Sequence, residues 1–403
     1  MKPMQSPLPL QLPQPAADAL SASQALQQLI ADDIGRAGGW ISFARYMELA
    51  LYAPGLGYYS GGAVKLGKDG DFTTAPETTP LFGAALAHAA APLLQQCAPQ
   101  MLEFGAGSGR LARDILTELA QIGAPLQHYY IVELSGELRA RQEQMLRGFA
   151  QVQWLEQLPA AFSGVALGNE VLDAMPVQLV TKSADGWQER GVGLGPGPNP
   201  GPDGTHHFIY VDRACAPALI AQIPDAEALP LGYLTEVHPV ASGFMRSLAA
   251  MLEAGAIEND GRGSAALLID YGFPAHEYYF HEREQGTLMC HYRHHAHGEA
   301  FFLPGLQDLT AHVDFTQMAR VAQDSGLDVL GYTSQAAFLM AAGIGDLLLR
   351  TDPANARQYL PQASAVQKLL SPAEMGELFK VLVVGKQVQL PPQFERHDRS
   401  HRL

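Results

Sequence analysis

The chain has 403 residues, 47% apolar and 17% charged, long enough to bury a sizeable core as one elaborated domain or two and balanced like a soluble globular protein. A formal net charge of −15 without any basic stripe argues against nucleic acid as the main partner, because phosphate binding needs clustered Lys and Arg, while an acidic surface keeps a chain soluble and also suits a basic partner. No apolar run nears the ~20 residues that span a bilayer, and the scattered Cys97, Cys215 and Cys290, with no signal- or transit-peptide chemistry at the N-terminus, read as a reduced, cytoplasmic setting without membrane insertion.

Residues 1–20 are rich in proline and glutamine, the composition of a disordered tail. From Ser23, placed as an N-cap, Leu26, Leu29, Ile30 and Ile34 recur at helical spacing until Gly38 and Gly39. Ser42 is placed to cap a second helix that runs to Tyr52 and stops before Pro54. Residues 54–77 carry glycine, aspartate and threonine at a density that favours hydrogen bonding over burial. They form either a surface connection or a flap over a ligand, to which Asp71, Thr73 and Thr74 would add polar contacts. Residues 80–96 read as an apolar helix.

The stretch that follows, Glu103-Phe-Gly-Ala-Gly-Ser-Gly109 between an apolar run and a helical pattern, predicts a strand, a tight loop and a helix. Gly105, Gly107 and Gly109 remove the Cβ atoms that would hold a ligand away from the free N–H groups of the helix start. The spacing is GxGxG, whereas a dinucleotide fingerprint places its third glycine one position later, where Arg110 stands. Glu103, just before the loop, would repel a pyrophosphate and can pair with the amino group of a methionine moiety. The next predicted strand, residues 128–133, ends in Glu133, at the distance expected for an acid that takes ribose hydroxyls. Together these residues suit S-adenosylmethionine better than a dinucleotide.

A helix over 135–147 and strands over 152–155 and 164–168 continue the alternation, which predicts a parallel sheet with helices on both faces. Asn169, Glu170 and Asp173 stand at the exit of the last of these strands, where ligands collect in such sheets. Residues 177–181, 187–194 and 206–211 alternate like antiparallel strands around a Gly/Pro-rich turn, a β-rich insertion in the α/β core. Residues 264–270 make a further buried strand, and 327–332 and 378–384 close the pattern. The chain thus divides into the tail 1–20, a helical segment with its glycine-rich flap over 21–96, a core over 97–385 and a C-terminal tail over 386–403. The core holds the insertion, about 177–235, and a substrate-side loop, about 275–313.

If a helix opens at Asn169, Glu170 and Asp173 share one of its faces. Two carboxylates can clamp a guanidinium, draw its charge toward one nitrogen and leave another better able to attack. The alternative is that Asp173 caps the helix and Glu170 binds part of the cofactor. His312 or Asp314 can reach the site as a base, although a histidine beside a helix start also serves as a structural hydrogen bonder. The stretch from Cys290 to His297 has metal-ligand residue types but no zinc spacing, so a recognition loop is the expectation and no metal is needed.

These motifs are joined by Tyr46-Met-Glu-Leu-Ala-Leu-Tyr52, Gly70-Asp-Phe-Thr-Thr-Ala-Pro-Glu77, Gly168-Asn-Glu-Val-Leu-Asp-Ala-Met-Pro176, Ile269-Asp-Tyr-Gly272 and Leu309-Thr-Ala-His-Val-Asp-Phe315. In their order the chain, from about residue 41 to 385, resembles the MidA-like S-adenosylmethionine-dependent methyltransferases, whose mitochondrial members are arginine methyltransferase assembly factors of respiratory complex I. The resemblance implies a Rossmann-like class I methyltransferase core with a seven-stranded, mostly parallel sheet. It also implies a cofactor pocket of Asp71, Phe72 and Thr73 with Gly105, Gly107, Glu133 and Asn169, and a protein acceptor. A protein-arginine methyltransferase is the leading expectation. A non-catalytic assembly chaperone and a small-molecule methyltransferase stay open as alternatives, as does pairing into a homodimer.

Overall fold

The computed structural model describes residues 12–61, 74–197, 200–201, 204–259 and 261–403. The expected contacts of Asp71, Phe72 and Thr73 lie outside the described residues.

At the N-terminal end, α1 spans Ala17–Arg36 and so begins before Ser23, shortening the expected tail. The residues leading in are good helix formers, and Asp18 sits in the first turn where the helix dipole favours an acid. Ser23 is not a cap: it is buried inside the helix and its hydroxyl donates to the Pro304 carbonyl at 2.8 Å. Ser42 does cap α2 (Phe43–Tyr52), accepting the Arg45 N–H at 3.2 Å. The short strand Ile41–Ser42 pairs with Gly186–Leu194 of the insertion, tying the N-terminal segment to it.

The central sheet contains β1 (Gln100–Phe104), β2 (His128–Val132), β3 (Val152–Leu155), β4 (Val165–Asn169), β5 (Ser264–Phe273), β6 (Asp328–Ser334) and β7 (Phe379–Lys386), in the spatial order β6-β7-β5-β4-β1-β2-β3. β1 to β5 pair in parallel, and β7 runs antiparallel to both β5 and β6. A two-residue strand, Val313–Asp314, joins the end of β5. The winding reverses between β1 and β4, so the loops leaving their carboxyl ends part and open a crevice.

Helices cover both faces of this sheet, as parallel strands require. One face carries α3 (Pro80–Leu94) and α4 (Arg110–Gln121), and α5 (Gly136–Met145) follows β2. The other carries α6 (Pro239–Glu258) and α7 (Phe315–Asp324). The insertion is an antiparallel sheet of Gln178–Ser183, Gly186–Leu194, Phe208–Ala214 and Leu234–Val237, which carries it past residue 235. No helix among the described residues is long and apolar enough to cross a membrane.

Residues 386–403 are not a tail. Val388 and Phe394 are buried apolar anchors, and the Asp398 carboxylate accepts the Tyr332 N–H at 2.8 Å. The sequence hides this because two anchors among polar residues leave no periodicity to read.

Gly255 lets α6 lie against the chain entering β4: a Cβ there would sit 2.0 Å from the Phe162 carbonyl oxygen. On an open helix, glycine to alanine gains about 1 kcal/mol. Here Gly255→Ala is expected to cost about 2 kcal/mol or more, because backbone must move to admit the methyl group. Urea unfolding would show it as a lower midpoint at unchanged slope.

Candidate active site

At the end of β1 the backbone turns through Gly105, Gly107 and Gly109 at φ of 60°, 52° and 83°, a region glycine enters without a Cβ penalty. A cavity of about 540 Å³ opens above this loop, within the range of small-molecule sites. Glu103, Gly105, Gly107, Glu133, Asn169, Glu170 and Asp173 all line it. Gly109 does not: it is the N-cap of α4, and a Cβ there would meet Gln142 of α5.

Gln142, fully buried, joins the loop to the next strand. Its amide donates to the Gly107 carbonyl at 3.0 Å and to Glu133 Oε2 at 2.8 Å, and its Oε1 accepts the Trp154 indole N–H at 2.9 Å. The other Glu133 oxygen accepts the Ser135 N–H at 2.9 Å. Glu133 is therefore held in place at the cavity wall. Below the loop, burial pushes the Glu103 carboxyl up to about 7, Glu133 adds to the rise, and the Tyr129 hydroxyl, donating at 2.7 Å, opposes it. Glu77, the last residue of the flap stretch, bonds the Ser108 hydroxyl and pairs with Arg110 at 3.2 Å, anchoring that end on the glycine loop.

No helix opens at Asn169. Glu170 has a φ of 54°, rarely adopted by a side-chain-bearing residue, and the chain continues as a tight turn. Asp270, inside β5 and fully buried, pins this turn: its Oδ2 accepts three consecutive N–H groups, Val171 at 3.1 Å, Leu172 at 2.9 Å and Asp173 at 3.2 Å. The carbonyls of Asp173 and Ala174, which a helix would use, instead accept the Ala311 N–H at 3.0 Å and the Tyr52 hydroxyl at 2.9 Å. Glu170 and Asp173 thus reach the same cavity through this turn rather than along a helix face.

Three carboxyls crowd this turn. Burial, then the charge of Asp173, pushes Glu170 up to about 8, against a bond from the Asn169 amide at 3.1 Å. Burial pushes Asp173 up to about 6 although the Tyr271 hydroxyl donates to it. Asp270 lies well above the usual carboxylate range, through burial and then the charges of Asp173 and Glu170. Buried like charges cannot all ionise without a cation among them. Asp173 Oδ1 and Asn169 Oδ1 are buried acceptors with no hydrogen-bond partner among the described residues. Both line the cavity's acidic end, so the residues present fit a ligand rich in N–H donors.

Aromatic rings complete the wall. Tyr52 and Tyr59 stack at 5.5 Å, and the Tyr59 hydroxyl donates to both carboxylate oxygens of Asp308 at 3.0 Å. Sequence reasoning placed Tyr58 and Tyr59 only in a polar loop, although an adjacent aromatic pair in such a loop was the available signal.

His312 lies outside the cavity. Its ring stacks on Phe273 at 5.2 Å and meets the edge of Tyr271 at 5.0 Å, so Tyr271 stands between it and Asp173. Burial, then Arg283 and Lys380, pushes it down to about 4. Asp314 caps α7, accepting the Gln317 N–H at 3.1 Å. The histidine-rich stretch forms a hairpin of Met289–Tyr292 and His295–His297, and its histidines do not line the cavity.

The family model for S-adenosyl-L-methionine-dependent methyltransferases matches residues 85–333. Mitochondrial protein arginine methyltransferase NDUFAF7 of Bos taurus is 30% identical over 401 residues, covering 90% of this chain and 82% of that protein. Its counterpart in Danio rerio is 29% identical, covering 90% of this chain and 87% of that protein. A crystal structure of a Burkholderia thailandensis protein bound to S-adenosyl-homocysteine is 50% identical with a TM-score of 0.88, covering 97% of this chain and 100% of that one.

The raised Glu170 carboxyl makes a prediction for the ligand-free protein. Its folded value of about 8 lies above its ordinary 4.5, so its contribution to stability is full below about 4.5 and is lost as pH rises through about 8. Glu170→Gln has no proton to lose. Its melting temperature should therefore gain on wild type by several degrees between about pH 5 and pH 8.5. A constant difference across that window would refute the assignment.

Proposed function

The chain belongs to the S-adenosyl-L-methionine-dependent methyltransferase family, and from that premise we propose that it is a protein-arginine N-methyltransferase whose acceptor is an arginine on a subunit of respiratory NADH:quinone oxidoreductase or a similar protein. The observation that carries this reading is the pair of Glu170, half-buried, and Asp173, buried beside Asp270, in the cavity the glycine loop lines, each pushed toward its neutral form. A guanidinium is planar, permanently charged and rich in donors, and so supplies what that pair lacks. The mitochondrial relatives named as arginine methyltransferases support the same acceptor chemistry.

When bound, S-adenosylmethionine supplies an electrophilic methyl group on a sulfonium sulfur. In this reading Gly105 and Gly107 let the backbone approach it, Glu133 takes its ribose hydroxyls, and Glu103 and Asn169 take its amino group. Glu170 and Asp173 pair with the incoming guanidinium, and their values fall as the cation neutralises them. They then hold its charge on the nitrogens they contact, leave the remaining nitrogen turned toward the glycine loop, and accept the proton that nitrogen sheds. Tyr52 and Tyr59 flank the entering side chain, offering ring faces to a cation and excluding water. Asp270 and Tyr271 act through Asp173, fixing its backbone and its carboxylate.

Binding and turnover should separate in variants. Gly107→Val places a branched side chain in the glycine loop at φ 52° and should abolish calorimetric binding of S-adenosylhomocysteine. Asp173→Asn should lower kcat for methyl transfer to an extract of cells lacking the protein by about 10²-fold or more, with S-adenosylhomocysteine affinity within about twofold of wild type. Equal loss of binding and turnover in Asp173→Asn would move that residue from the acceptor side to the cofactor side. Because Glu170 must be ionised to pair with the guanidinium, kcat/KM for the acceptor should rise with pH toward about 8 and lose that limb in Glu170→Gln.

A further inference from the structure

A second cavity, of about 320 Å³, lies at the carboxyl end of β5. The sandwich of Tyr271, His312 and Phe273 stands between it and the first: Tyr271 bonds Asp173, while Phe273 lines the second cavity. Its charges do not balance locally. Of its three cations, Arg399 takes both oxygens of Glu377, at 2.8 and 3.1 Å, and Arg402 pairs with Glu277. Both carboxylates are thus committed to arginines.

Lys380 is left without one. It is 8% exposed, its ammonium donates only to the carbonyls of Glu377 and Leu378, the latter at 3.2 Å, and it has no ion pair within 4.0 Å among the described residues. Tyr332, also on this cavity and 1% exposed, has a buried hydroxyl with no hydrogen-bond partner among the described residues. Burying a charge without a counter-charge, or a donor without an acceptor, costs several kcal/mol in sum. A cavity that meets two such groups is a place where a ligand can supply both partners.

We infer that this second cavity binds a small organic anion, a carboxylate or phosphate head on a flat apolar body, with the head on the Lys380 ammonium and the Tyr332 hydroxyl and the body against Pro274 and Pro372. The apolar walls of Phe273, Pro274 and Pro372 suit such a body, and the volume lies at the lower end of small-molecule sites. The site is independent of the acceptor chemistry proposed above. It also accounts for the state of Lys380, which burial pushes down to about 8 against the pull of Glu377 and Glu277, with Arg399 and Arg402 adding to the fall. A bound anion returns the proton.

Calorimetric titration of the full chain with benzoate and with phenyl phosphate, near pH 8 in HEPES and again in Tris, tests this. Saturable one-site binding of at least one probe is expected, with proton uptake seen as a buffer-dependent heat, and the two probes separate carboxylate from phosphate heads. Lys380→Met should weaken that binding at least about tenfold, the size of one lost charge-assisted hydrogen bond, and Tyr332→Phe should weaken it less. S-adenosylhomocysteine affinity should be unchanged in both variants. Failure of both probes to saturate, or wild-type affinity in Lys380→Met, would overturn the site. Should Lys380→Met fail to fold, Tyr332→Phe decides, since it keeps the shape and removes only the hydroxyl.

Discussion

The candidate active site depends on one carboxylate oxygen. Asp270 Oδ2 collects the N–H groups of three consecutive residues, Val171 to Asp173, and in doing so bends the chain leaving β4 into a turn. With these three donors held on one buried atom the turn is pinned, and Glu170 enters it at a positive φ. Because β5 lies beside β4 and β4 beside β1, the turn is carried to the edge of the glycine loop. The switch in winding between β1 and β4 then leaves the space that both loops face. The Rossmann-like class I methyltransferase core thus supplies the crevice, and Asp270 decides which side chains enter it.

The same residue creates the electrostatic problem that gives the cavity its preference. Asp270 and Asp173 are buried with the half-buried Glu170 beside them, so ionising any one raises the others. Carboxyls gathered this way bind a cation strongly because the cation removes both desolvation and mutual repulsion. The glycine loop beside them carries little charge of its own and offers backbone and space. One end of the cavity therefore suits a hydrogen-bonding ligand segment, and the other a planar cation.

Much of this was legible in the residues. The strand, loop and helix around Gly105 and Gly107, the acids Glu103 and Glu133, and the position of Glu170 and Asp173 at a strand exit follow from local pattern and spacing. Ser42 was readable because an N-cap is a local event. What escaped depends on contacts distant in sequence. Ser23 looks like a cap until Pro304 arrives to take its hydroxyl. Residues after Asn169 look helical until Ala311 and Tyr52, distant in sequence, take the carbonyls of Asp173 and Ala174. His312 looks like a base until Tyr271 and Phe273 enclose it. Val388 and Phe394 look like part of a tail until they pack into the core, Phe394 against Phe338.

The central claim is that this acidic turn presents an arginine side chain of a protein to the cofactor. It is tested most directly by incubating the purified chain with methyl-labelled S-adenosylmethionine and an extract of cells lacking the protein, then hydrolysing the protein fraction and identifying the labelled residue by mass spectrometry. The account predicts label in ω-N-methylated arginine, dependent on added chain. Label confined to small molecules, or carried on a residue other than arginine, would contradict it.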